Sequence, residues 1–201
     1  MNTACAHIID DDEAIRDALQ WLLKTRKIPC VTWPSAEAFL AALTPDWHGC
    51  AVLDIRMEGM SGLECFDVLR AQGNELPVIF ITGHGDVPMA VAALKKGAYD
   101  FIEKPFDDSD LVAVILSALE IDAERQRARS QNLAVMEKLT LLTAREREVM
   151  ELILKGKYNK VIADELDISM RTVEAHRSRI FEKMGVRSAV ELAQTLKGID
   201  A

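Results

Sequence analysis

Four apolar stretches of this chain end in polar groups that could do chemistry together. Asp10-Asp11 follows His7-Ile8-Ile9, and Asp54 closes Cys50-Ala51-Val52-Leu53. Thr82 follows Val78-Ile79-Phe80-Ile81, and Lys104 follows Phe101-Ile102-Glu103. Three carboxylates, a hydroxyl and an ammonium suit a divalent cation beside a phosphoryl group carried on Asp54. Mg²⁺ prefers hard oxygens in octahedral geometry and usually keeps several waters with one or two carboxylates. Asp11 and Asp54 can supply those carboxylates, with Asp10 holding water behind them. Asp12 is placed to cap the following helix instead. A carboxylate in such a cluster is a competent nucleophile, because the metal offsets its charge and that of the incoming phosphate. Lys104 would pair with one phosphoryl oxygen and Thr82 would hydrogen-bond another. Taken singly, an Asp at a strand end is commonly a cap and a Lys-Pro is commonly a turn. Their joint order on successive strands is what argues for chemistry.

Such residues meet only if a parallel sheet brings its carboxyl edge together, which is where open α/β folds place their sites. Residues 4–120 alternate apolar strands, near 4–9, 29–33, 50–54, 77–82 and 100–103, with amphipathic helices near 13–25, 35–43, 63–71, 87–96 and 107–120. Pro34, Pro45, Gly49, Gly59, Gly62, Gly73, Pro77, Gly83, Gly85 and Gly97 punctuate them. Strand then helix, repeated, implies right-handed crossovers and an α/β, doubly wound parallel five-stranded sheet of flavodoxin-like order 2-1-3-4-5. Residues 121–138 are rich in Glu, Arg, Gln and Ala and hold no Gly or Pro, so the last helix should run on into a helical linker. Leu111, Val114, Ala118, Ile121, Ala128 and Val135 keep a rough 3-4 spacing, broken by Arg125 and Asn132. That pattern fits either a weak coiled coil or a single solvated helix.

The 201 residues suffice for two domains, and 49% apolar with 28% charged residues is ordinary for a globular chain. No apolar run reaches the roughly 18 residues needed to span a bilayer, and the N-terminus lacks a basic-then-apolar signal pattern. A cytoplasmic protein, with no membrane partner, is expected. Cys5, Cys30, Cys50 and Cys65 are far apart with no metal-ligand spacing, and read as buried small apolar thiols. Charge is unevenly divided. Residues 1–139 carry 13 Lys and Arg against 22 Asp and Glu, a net −9, and residues 140–201 carry 11 against 10, a net +1.

After Leu139 the strand pattern stops, and residues 139–198 read as a second, all-α domain of four helices. Thr143-Ala144-Arg145-Glu146 is a capping box opening a helix that runs to Lys155 and stops at Gly156. A second helix spans 159–166, Ser169 caps a third over 170–184, and a fourth spans 188–196. The second and third have helix-turn-helix spacing. Ile162, Ala163, Leu166, Ile168, Val173, His176, Ile180 and Met184 supply the inward faces, so His176 reads as a packed histidine. The opposite face of the third helix presents Arg171, Glu174, Ala175, Ser178 and Glu182, with Arg177 and Arg179 on its flanks. Small and polar residues there can reach base edges, while flanking Arg residues suit phosphates. Glu174 could accept from a cytosine amino group, Ala175 could touch a thymine methyl, and Lys160 could meet the backbone.

Residues 4–120, through Ile9-Asp10-Asp11-Asp12, Leu53-Asp54-Ile55-Arg56-Met57, Ile81-Thr82-Gly83-His84-Gly85-Asp86 and Glu103-Lys104-Pro105-Phe106, resemble the receiver domain of bacterial two-component response regulators. The resemblance implies that Asp54 accepts phosphate from a phosphohistidine of a sensor histidine kinase. It implies Mg²⁺ held by Asp10, Asp11, Asp54 and the Arg56 carbonyl, with Thr82 and Phe101 as a switch pair and a cis Lys104-Pro105 bond. Arg56 and His84 would flank the phosphoryl group and tune its lifetime. In one place the chain departs from this pattern: the family usually has Pro after Met57, and here Glu58 follows. Residues 139–198, through Leu142-Thr143-Ala144-Arg145-Glu146, Asn159-Lys160-Val161-Ile162-Ala163 and Thr172-Val173-Glu174-Ala175-His176-Arg177, resemble the LuxR-type DNA-binding domain. With the receiver this resembles the FixJ/NarL class.

The expectation is therefore a transcription factor rather than an enzyme, activated by phosphorylation of Asp54. It forms a homodimer on phosphorylation and binds double-stranded promoter DNA, with RNA polymerase as a further partner. Lys160, Arg171, Thr172, Glu174, Ala175, Arg177, Ser178 and Arg179 are the expected DNA contacts. Two other readings stay open: a flavodoxin-like hydrolase turning over an aspartyl phosphate, and a DNA binder indifferent to phosphorylation, which Glu58 keeps open.

Overall fold

The computed structural model describes residues 4–44, 47–83 and 87–197, with the backbone alone at Val87. His84, Gly85, Asp86 and Pro45, each singled out from the sequence, lie outside the described residues. Residues through Arg125 form one compact unit and those from Gln126 onward form a second.

The first unit alternates strand and helix: β1 (Cys5–Ile9), α1 (Glu13–Thr25), β2 (Cys30–Trp33), α2 (Ala36–Ala42), β3 (Gly49–Asp54), α3 (Gly62–Ala71), β4 (Val78–Thr82), α4 (Val87–Lys95), β5 (Asp100–Glu103) and then α5 (Asp108–Thr140). The strands pair in parallel in the order β2-β1-β3-β4-β5. Side chains of period 2 divide the core into two layers. Ala6, Ile8, Cys50, Val52, Ile79 and Ile81 face α1 and α5. Ile9, Ala51, Leu53, Val78 and Phe80 face the other side, against α2, α3 and α4 through Phe39, Phe66, Leu69 and Ala93. β3 is buried along its whole length, which explains why its sequence is continuously apolar until Asp54.

Local chemistry sets the helix starts. Asp12 caps α1 by accepting from the Ala14 N–H, and Ser61 with Glu64 forms a reciprocal capping box on α3. Gly49 lies at φ 129°, where a Cβ would stand 1.9 Å from the Cys5 carbonyl oxygen, so no larger residue fits. Cys50 and Cys65 are buried as expected, but Cys5 and Cys30 are only half-buried: Cys5 opens β1, and Cys30 lies on β2, the edge strand, no residue of which is fully buried.

Helix α5 runs unbroken through the linker. Leu111 and Ala118 of the apolar seam are used up in the receiver core, and Val135 packs on the core of the second unit. Ala128 is exposed between them. Near its exit from the first unit, α5 is tied down twice. The buried Asp122 carboxylate accepts the Gly49 N–H at 2.8 Å, and Arg125 donates to the Glu75 carbonyl at 3.0 Å.

The second unit adds α6 (Ala144–Leu154), α7 (Asn159–Leu166), α8 (Met170–Met184) and α9 (Ala189–Lys197). They surround a small core of Val149, Ile153, Ile162, Val173, Ile180, Met184 and Leu192. The Thr143–Glu146 capping box is present, and buried Glu146 also takes a hydrogen bond from Lys183 Nζ at 2.7 Å. That bond, with the capping N–H of Thr143, holds the Glu146 carboxyl down at about 2. Among the described residues no helix is long and apolar enough to cross a membrane.

Candidate phosphoacceptor and nucleic-acid sites

The carboxyl ends of β1, β3, β4 and β5 gather Asp10, Asp54, Thr82 and Lys104 at one edge of the sheet. Asp54 ends β3 and is buried. Its Oδ1 accepts from Lys104 Nζ at 2.8 Å and its Oδ2 from the Arg56 N–H at 2.7 Å. Gly62 makes this turn possible: its N–H donates to the Ile55 carbonyl at 3.0 Å. A Cβ at Gly62 would stand 2.2 Å from the Asp54 carbonyl oxygen.

Asp10 is also buried. Its Oδ1 accepts the Asp12 N–H at 2.9 Å and its Oδ2 accepts from Lys104 Nζ at 3.1 Å. Burial pushes the Asp10 carboxyl above its ordinary value, against the opposing pull of the Asp12 N–H and the Lys104 ammonium. At Lys104 burial lowers the ammonium pKa, but the Asp54 and Asp10 carboxylates outweigh it and hold the value above normal. One ammonium thus bridges two buried carboxylates.

Asp11 is arranged differently. It is exposed, and its Oδ2 accepts the Glu58 N–H at 2.8 Å. Among the described residues no three acidic, His or Cys side chains stand close enough to hold one metal ion. Asp10, Asp11 and Asp54, grouped by the sequence pattern, are therefore a pair on Lys104 and a third carboxylate tied to the next loop. Arg56 is exposed with its N–H on Asp54. Thr82 is buried at the end of β4, and the Lys104 N–H donates to its carbonyl at 2.7 Å. Phe101 is half-buried against the α2–α4 layer, and the Lys104–Pro105 peptide is cis.

Three supporting groups escaped the sequence reading. Arg16 Nη1 clamps the β1–α1 turn by donating to the Asp10 carbonyl at 2.8 Å and the Asp11 carbonyl at 2.9 Å. Glu37 Oε1 accepts the Met60 N–H at 2.8 Å. The Glu58 N–H is the third. A side chain that serves a distant backbone group leaves no periodic mark in a sequence.

In the second unit the α7–α8 turn passes through Asp167 in the left-handed conformation, and Ser169 caps α8. Arg171, Thr172, Glu174, Ala175, Ser178 and Arg179 are exposed along α8, and Lys160 is exposed on α7. The Thr172 hydroxyl is 2.8 Å from that of Ser169, inside the cap. Arg177 is half-buried, its guanidinium 5.4 Å from the centre of the Phe181 ring. His176 is half-buried, with Nδ1 buried and unpartnered. Beside α8 an open groove of about 530 Å³ is lined by Lys157, Tyr158, Lys160, Met170 and Arg177, among others. Tyr158, 83% exposed, went unnoticed in the sequence, although an aromatic between two lysines suits a charged, stacking ligand.

Residues 6–116 match the family described as response regulator receiver domain, and residues 140–196 match bacterial regulatory proteins of the luxR family. The C4-dicarboxylate transport transcriptional regulatory protein DctR of Rhodobacter capsulatus is 48% identical over 94% of this chain and 96% of its own length. The transcriptional regulatory protein FixJ of Azorhizobium caulinodans is 45% identical over 94% of this chain and 89% of its own. Among solved structures, the response regulator StyR aligns with a TM-score of 0.89 at 39% identity, covering 98% of this chain and 99% of that one. Full-length FixJ from B. japonicum aligns with a TM-score of 0.61 at 39% identity, covering 100% of this chain and 98% of that one. A receiver implies a sensor kinase, and a LuxR-type output domain implies DNA. The chain belongs to the two-component response regulators of the FixJ class, transcription regulators that join a receiver to a LuxR-type DNA-binding domain.

Proposed function

We propose that Asp54 is the phosphoacceptor of a phosphorylation switch, served by a sensor histidine kinase, and that the phosphorylated chain dimerises and binds promoter DNA. The observation that carries this reading is the buried Asp54 carboxylate with Lys104 Nζ 2.8 Å away at the carboxyl edge of the sheet. Asp54 supplies the attacking oxygen, and the phosphohistidine of the kinase supplies the phosphoryl group and keeps the leaving nitrogen. Lys104 stays on the phosphoryl oxygens as it now stays on the carboxylates, and the Thr82 hydroxyl moves toward them while the Phe101 ring turns inward.

The donor set suits Mg²⁺. Asp10 and Asp54 are two buried hard-oxygen groups that share one ammonium. Mg²⁺ needs only one or two carboxylates with water, so an assembled three-carboxylate cage is not required. Asp10, Asp11, Asp54 and the Arg56 carbonyl would hold it. When bound, Mg²⁺ neutralises charge on the incoming phosphoryl group.

Residues 4–120 serve as the receiver, 121–138 as a helical linker and 139–198 as the DNA-binding domain. Arg171, Thr172, Glu174, Ala175 and Ser178 face the major groove; Lys160, Arg177 and Arg179 meet the phosphates. RNA polymerase is the downstream partner, and the cytoplasm, where kinase domain and promoter meet, is the setting.

Incubation with Mg²⁺ and acetyl phosphate, followed by intact-protein mass spectrometry, tests this. One slowly lost phosphoryl group, absent from Asp54→Asn, is expected. Full labelling of Asp54→Asn overturns the assignment of the acceptor, and continuous turnover of the donor marks a hydrolase.

A further inference from the structure

The loop after β3 donates alternate backbone N–H groups to three carboxylates, at the end of β3, in the β1–α1 turn and on α2. Arg56 donates to Asp54 at 2.7 Å, Glu58 to Asp11 at 2.8 Å and Met60 to Glu37 at 2.8 Å. The middle bond involves a carboxylate already assigned to the cation, and it exists because position 58 is not proline. The residue that receivers usually carry here has no N–H to give.

We propose that the Glu58 N–H competes with the divalent cation for the Asp11 carboxylate, so that residue 58 sets the cation affinity of the phosphorylation site. This rests on the reading of Asp11 as a cation ligand. In the present arrangement Asp11 is exposed and turned to the loop, while Lys104 bridges Asp10 and Asp54. A small cation with strict octahedral demands must draw the Asp11 oxygen toward Asp54, and a hydrogen bond to a carboxylate resists that movement. The Glu58 side chain acts oppositely, since an exposed negative charge near the site attracts the cation. The two effects separate by substitution: Glu58→Ala removes the charge and keeps the N–H, whereas Glu58→Pro removes both. A net hydrogen bond of ordinary strength corresponds to about a fivefold difference in dissociation constant, about 1 kcal/mol.

The test is calorimetric titration of the full chain with Mg²⁺. Glu58→Pro should bind Mg²⁺ about fivefold more tightly than Glu58→Ala, and in an Asp11→Ala background the two should bind alike. Equal affinities of Glu58→Pro and Glu58→Ala, with wild-type binding lost in Asp11→Ala, overturn the role of residue 58 alone. Wild-type binding that survives Asp11→Ala unchanged, or no binding at all, overturns the ligand assignment and the proposal with it. Should Glu58→Pro fail to fold, amide exchange in the wild-type protein decides. Saturating Mg²⁺ should speed exchange of the Glu58 N–H and leave that of Met60, whose acceptor is Glu37, unchanged. An unchanged Glu58 N–H overturns the proposal.

Discussion

Lys104 Nζ lies 2.8 Å from Asp54 Oδ1, joining two residues 50 positions apart at the carboxyl ends of β5 and β3, strands that are not neighbours in the sheet. An ammonium held there is a preformed partner for whatever charge Asp54 acquires. If phosphorylation of Asp54 raises DNA affinity as proposed, Lys104→Ala should still accept phosphate yet lose most of that gain, because nothing then orients the phosphoryl oxygens toward Thr82. Phosphorylation followed by mass spectrometry, beside DNA binding by fluorescence anisotropy, separates the two steps. A variant normal in both would refute the role.

The imidazole of His7 is stacked on Trp47 at 4.3 Å and accepts from Trp33 Nε1 at 3.2 Å. Burial pushes its pKa down from 6.5 to about 4. Between those values the unfolded chain binds more protons than the folded one, so stability rises with pH. The contribution is complete above about 6.5 and lost as the pH falls toward 4. The gap is worth about 3 kcal/mol as an order of magnitude. Urea midpoints should fall for the wild type as the pH is lowered across this window, whereas His7→Phe, weaker at neutral pH through the unpaired Trp33 N–H, should lose the slope between about pH 4 and 6.5. Equal slopes would show that other groups carry the dependence.

On α8 the exposed and the half-buried residues should behave differently. Glu174→Ala should relax base preference and leave affinity for random sequence nearly unchanged. Arg177→Ala should weaken binding to all sequences and lower the melting temperature of the helical unit, since its guanidinium packs on Phe181. Binding to a randomised promoter library, with calorimetry of each variant, checks both. Uniform weakening by Glu174→Ala would remove it from base readout.

One helix-turn-helix buries too little surface for tight, specific binding, so two copies are expected on a site with half-sites about one helical turn apart. Val91 and Leu94 on α4 and Leu116 on α5 are 43%, 43% and 50% exposed, an apolar supply on the two helices that precede and follow β5, the strand of Phe101. Phosphorylation should shift a monomer toward a dimer through this face, and Leu94→Glu should block the shift without affecting labelling of Asp54. Sedimentation with a phosphoryl analogue is the measurement. A chain that remains monomeric there yet binds DNA as tightly as a dimer would exclude the mechanism.

What could be read from the sequence was whatever repeats or caps. Helix α1 begins at Glu13 because Asp12 caps it, and the α7–α8 turn falls where Asp167 breaks the pattern and Ser169 caps the next helix. The carboxyl edge of the sheet was legible because four apolar strands stop at polar residues. Bonds set by tertiary approach were not. The Glu58 N–H meets Asp11 across 47 positions, and Asp122 meets Gly49 across 73. No local spacing encodes either, and the net +1 of residues 140–201 hid a basic groove around Tyr158.

The Asp122–Gly49 bond has a practical consequence for dissection of the protein. A fragment ending at residue 120 strands the Gly49 N–H in a buried place without an acceptor, a loss of about 1–3 kcal/mol. One ending after Arg125 keeps that acceptor and the clasp on Glu75. Two fragments that differ by five residues and share every strand should therefore melt apart, and an isolated receiver that proves unstable should first be lengthened by a turn and a half of helix.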